Sequence, residues 1–86
     1  MKTLTARNEC NDREISMMVG KAMCAYANWM SARCPETNVP SHVATAFESE
    51  YEATVRCIEM FVREDIYEVQ RVIRDRAMRE LGVEAA

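Results

Sequence analysis

Residues 41–81 read SHVATAFESEYEATVRCIEMFVREDIYEVQRVIRDRAMREL, and the reading of this stretch decides the fold. It holds neither Pro nor Gly. Its apolar residues Phe47, Tyr51, Val55, Ile58, Val62, Ile66, Val69, Ile73, Ala77 and Leu81 recur in steps of three and four. That spacing places them on one face of an α-helix. A single helix of this length would span roughly 60 Å, at about 1.5 Å per residue. One residue resists. On a straight helix Asp65 falls within the apolar stripe set by Phe47, Tyr51, Ile58 and Phe61, and beyond it the stripe moves round the helix. Asp65 followed by Glu68 is also a helix-capping pair. A continuous helix Ser41–Leu81 is the preferred reading, because no Gly or Pro marks a break. A break near Arg63–Asp65, giving a three-helix fold, is the alternative. The spacing pairs Glu52 with Arg56, Glu59 with Arg63, Arg71 with Asp75 and Arg76 with Glu80, each contributing a few tenths of a kcal/mol.

Upstream, Cys34–Pro40 (CPETNVP) is a clear breaker, bracketed by two prolines. A connection this short makes its flanking helices antiparallel neighbours. Ser41 caps the second helix, or Pro40 sits in its first turn. The first helix runs from about Asn11, with Glu14 three residues on as a capping pattern, to Arg33. Its main face is Ile15, Met18, Val19, Ala22, Met23, Tyr26, Trp29 and Met30. Its back carries Gly20, Cys24, Ala27 and Ser31, and between Glu14 and Arg33 the only charge is Lys21. A surface helix ordinarily has a charged back, so this one is expected to be buried on more than one side. Residues 1–10 are read as irregular, Gly82 as the residue that ends the last helix, and 83–86 as a loose tail. The expectation is one all-α domain over residues 1–86. It is a helical hairpin of a helix of about 20 residues and one very long helix, completed by homo-oligomerisation.

Composition supports self-association. Hydrophobic residues make up 49% of the 86, but many are Ala and Met, so the core is thin. A long stripe cannot be covered by the one shorter helix. The expected homodimer interface is therefore Ile66, Val69, Ile73 and Ala77. Net charge is −3 and the pI is near 5.1, which argues against direct nucleic-acid binding. No apolar run approaches the ~20 residues of a membrane span, and the start MKTLTARNEC lacks the apolar core of a signal peptide. A cytoplasmic protein with reduced thiols follows.

The chemistry-bearing residues are sparse. His42 is the single histidine, and none of Cys10, Cys24, Cys34 and Cys57 has C-x-x-C spacing, so neither a metal nor another cofactor is expected. Cys24 and Cys57 read as small buried residues, Cys10 and Cys34 as more exposed ones. His42 has no nucleophile or orienting carboxylate in evident reach, so no catalytic set is assigned and the chain is read as a non-enzyme. Glu48, Glu52 and Glu59 share one side of the helix and form the expected face for a basic partner protein; a solvated acidic surface is the plainer reading. Arg71, Arg74, Arg76 and Arg79 are spread round the helix and read as a salt-bridged surface. Trp29 with Tyr26 and Met30 is either core or a binding hot spot.

Three stretches, LTARNECNDREISM, RCPETNVP and VQRVIRDRAMREL, together resemble a small helical protein of the exo–xis region of lambdoid bacteriophages, including those carrying Shiga toxin genes. The resemblance covers nearly the whole chain and carries no active-site motif. It implies a small early-expressed, non-essential accessory protein of the infected bacterium's cytoplasm. Its implied role is to modulate the lysis–lysogeny decision by binding a host or phage protein. A structural oligomerisation module without a regulatory role is the second reading.

Overall fold

A computed structural model describes residues 4–7 and 12–83. It is all-α. Helix α1 spans Asp12–Arg33, a short 3-10 turn follows at Pro35–Thr37, α2 spans Ser41–Phe61 and α3 spans Ile66–Glu80. The Asn11 cap and Cys10 lie outside the described residues.

Helix α1 closes through Thr37, whose hydroxyl donates to the carbonyls of Ser31 (3.0 Å) and Cys34 (2.8 Å). Asn38 then takes a left-handed φ of 53°, and the chain re-enters helix with Pro40 at the cap position, its carbonyl accepting from Val43 and Ala44. Pro40 thus takes the cap expected of Ser41, which is already helical. Tyr26 meets Tyr51 while Met18 shares a surface groove with Phe61, so α1 and α2 run antiparallel.

The continuous rod is not what forms. Helix α2 stops at Phe61, Val62 turns extended (φ −122°, ψ 164°), and Asp65 caps α3 by accepting from the Glu68 amide at 2.9 Å. The molecule's longest extent is 43 Å, shorter than the rod alone would be. Energetics explain the outcome. Folding back buries Val69, Val72 and Ile73, worth on the order of 1.5–3 kcal/mol each. The helix hydrogen bonds given up at the break are worth about 1 kcal/mol each. Several are replaced as well. The segment 4–7 lies antiparallel beside the break, with Ala6 opposite Val62. The Arg7 amide donates to the Phe61 carbonyl (2.8 Å) and the Arg63 amide to the Thr5 carbonyl (2.9 Å). Thr5 donates to Glu64 through both its amide (2.8 Å) and its hydroxyl (2.9 Å). Part of the segment expected to be irregular is therefore a strap across the hinge, and Leu4 and Ala6 pack on the core.

The core joins Ile15, Val19, Ala22, Met23, Tyr26 and Met30 of α1 to Tyr51, Val55 and Ile58 of α2 and Val69, Ile73 and Ala77 of α3. This corrects the expected oligomer interface. Val69, Ile73 and Ala77 are fully buried within the chain itself, and half-buried Ile66 packs against the same core. The stripe that was to need a second copy is covered by the chain's own α1 and α2. Val83 is not part of a loose tail either. Gly82 takes a φ of +66°, which suits a residue without Cβ, and Val83 packs on the core with its amide 3.4 Å from the Ala77 carbonyl.

The back of α1 is open rather than buried. Cys24 and Ser31 are exposed, and a Cβ added at Gly20 would meet nothing within 4 Å. Cys24 and Cys57 were expected to be inside, yet both are exposed, as is Cys34. Their helical positions fall off the packed faces once α3 takes the third side of the core. All three are therefore expected to react with a thiol reagent such as DTNB in the native protein, without denaturant. Labelling of Cys24 or Cys57 that waits for unfolding would contradict the packing.

Candidate functional site

One surface feature is built from all three helices. On α1, Tyr26, Trp29, Met30 and Arg33 recur at steps of three and four, so they share a face. Tyr51 comes from α2, and Gln70 and Arg74 from α3. Together they line a notch of about 240 Å³. Tyr26 and Met30 are buried at its floor, whereas Trp29 is half-buried and the two arginines are exposed. The rings interlock. Tyr26 meets Trp29 edge-on (6.2 Å, 83°), and Tyr51 tilts against both, 5.4 Å from Tyr26 and 5.5 Å from Trp29. The Arg33 guanidinium sits 5.7 Å over the Trp29 ring, a cation–π contact. Such packing leaves few rotamers, so the notch is pre-organised.

Its electrostatics are uneven. Burial pushes the Tyr51 phenol up to about 12, partly offset by the Arg74 charge and reinforced by Tyr26 and Glu52. The folded state therefore holds this proton more tightly than the unfolded chain, whose phenol ionises near 10. That contribution to stability is complete below pH ~10 and is lost as pH rises through ~12. Tyr51→Phe, which keeps the ring and removes the titrating group, is expected to lose less stability across this window than wild type. Urea midpoints that fall equally for both proteins would show that Tyr51 is not the group responsible.

The other sites named from sequence are dispersed. Glu48 and Glu59 are half-buried and Glu52 is exposed along one side of α2, with Glu52 beside the notch. The arginines of α3 separate: Arg76 pairs with Glu80 at 3.1 Å, Arg71 lies 4.0 Å from Glu68, and Arg74 alone turns to the notch. His42 is exposed at the start of α2. Among the described residues no group of three or more His, Cys, Asp or Glu could hold a metal ion, and no helix is long and apolar enough to cross a membrane.

Sequence reasoning named Tyr26, Trp29 and Met30 but missed Arg33, Tyr51, Gln70 and Arg74 as their partners. The four-residue step from Trp29 to Arg33 was the available signal for the cation–π contact. Nothing local could have brought Gln70 and Arg74 to the same place, because that depends on α3 folding back. No protein-family model, curated protein or solved structure matches the chain.

Proposed function

We propose that this chain is a non-enzymatic accessory protein of a lambdoid bacteriophage that shifts the choice between lysis and lysogeny by docking a host or phage protein in the infected cell's cytoplasm. The phage setting comes from the three stretches LTARNECNDREISM, RCPETNVP and VQRVIRDRAMREL. The docking mode is supported by one observation: a half-buried Trp29 held between Tyr26, Tyr51 and Arg33 at the surface. Tryptophan, tyrosine and arginine are the residues that most often dominate the energy of protein interfaces. Glu48, Glu52 and Glu59 form a second face for a basic partner, since charge complementarity steers encounter.

The test is lysogen frequency during infection. Deleting the gene is expected to change it, and Arg74→Glu is expected to reproduce most of the deletion. A Glu48, Glu52 and Glu59 to Lys triple variant measures the share of the acidic face. These substitutions lie on exposed or half-buried side chains and are expected to leave the fold intact. A deletion with no effect on the frequency would end the regulatory reading.

A further inference from the structure

We infer that the Tyr26–Trp29–Tyr51 notch takes one apolar or aromatic side chain of a partner peptide together with an adjacent carboxylate, held by Arg33 and Arg74. This rests on the docking reading above and gives the partner's chemistry. The volume argues for one anchor residue. At about 240 Å³ the notch falls below the roughly 300–1,000 Å³ of small-molecule sites. Buried Tyr26 and Met30 at the floor and half-buried Trp29 beside them supply aromatic and thioether surface for the anchor. The rim offers two guanidiniums and the Gln70 amide, all capable of donating to a carboxylate. Arg presents a planar fork that matches a carboxylate in two bonds, so an Asp or Glu beside the anchor completes the fit.

A single-stranded nucleic acid is the other occupant that aromatic rings and arginines suggest. Two observations disfavour it. The Trp29 ring is already tilted against Tyr51 and carries Arg33 over it, so it offers no free face for a base to stack on. The whole chain carries a net charge of −3, whereas strand binders collect positive charge along a track.

The experiment selects randomised dodecapeptides displayed on messenger RNA against the full chain, then measures the best binder by Trp29 fluorescence. Enriched peptides are expected to carry Phe, Trp or Leu next to Asp or Glu. Arg74→Glu and Arg33→Glu should each weaken binding on the order of tenfold or more, and Lys21→Glu, at an exposed α1 position outside the notch, should leave it unchanged. A peptide with Lys in place of its acid should bind the Arg74→Glu protein better than wild type. Both arginines are exposed, and circular dichroism confirms that each variant is folded before binding is read. Enriched peptides without acidic residues, binding indifferent to both arginines, no enrichment at all, or displacement by an oligo(dT) strand would each overturn the inference. Failure here with an intact effect of gene deletion places the docking surface elsewhere. Success here with no effect of deletion leaves the notch correct and the phage reading wrong.

Discussion

Ile73→Glu is expected to abolish the fold. Ile73 is wholly buried in the core, beside Val69 and Ala77. Removing it forfeits about 1.5–3 kcal/mol of apolar burial, and an unpaired carboxylate placed there costs several kcal/mol more. At roughly 0.05–0.15 kcal/mol per residue, a domain of this size has a total stability of only about 4–13 kcal/mol. The variant should therefore lose most of its helical circular dichroism at room temperature, or show a urea midpoint near zero. Met60→Glu is the control. Met60 is 70% exposed, and its replacement should shift stability by no more than about 0.5 kcal/mol. The same substitution separates two accounts of α3. If Ile73 belonged to an interface between copies, the variant would be a folded chain of lower mass. A folded Ile73→Glu protein, compact and helical in sedimentation, would contradict the intramolecular core.

The second large effect is at the hinge. Deleting residues 1–7 and replacing Asp65 with Leu should fuse α2 and α3 into one helix. The deletion removes the strap bonds at Thr5 and Arg7 and the packing of Leu4 and Ala6. Each lost hydrogen bond is worth about 0.5–1.5 kcal/mol, and the lost cap about 1 kcal/mol. Leu at position 65 also repairs the apolar stripe. Nothing in 41–81 then opposes continuity, because the stretch has no Gly or Pro. The freed face of Val69, Ile73 and Ala77 can regain its contacts on the α1 of a second copy, an exchanged dimer. Nitroxides at the exposed positions Ala46 and Met78, with the native cysteines replaced by Ser, report the change directly. A fused helix puts them about 48 Å apart, at about 1.5 Å per residue, which exceeds the 43 Å extent of the folded-back molecule. A short distance that survives both changes would mean that core burial alone holds the break. An unfolded variant would mean that the strap is needed for any stable fold.

Local chemistry was legible in the sequence. The Pro35–Pro40 interruption, the apolar face from Ile15 to Met30, the Asp65–Glu68 cap and the Gly82 terminus all depend on residues within one or two turns of each other. Each appears in the fold where the spacing puts it. The sequence even held both outcomes at Arg63–Asp65, since a run without breakers favours helix and a capping pair favours an end. Tertiary structure made the choice. Continuity is set by propensities of tenths of a kcal/mol per residue, whereas folding back is set by the apolar area that α3 buries against α1 and α2. That area depends on residues some fifty positions away and leaves no local mark. The same cause explains the strap, where Thr5 meets Glu64 across the length of the chain, and the exposure of Cys24 and Cys57. It also explains the notch. Trp29 announced itself, but Tyr51 and Arg74 reach it because one four-residue hinge, residues 62–65, turns α3 back onto α1.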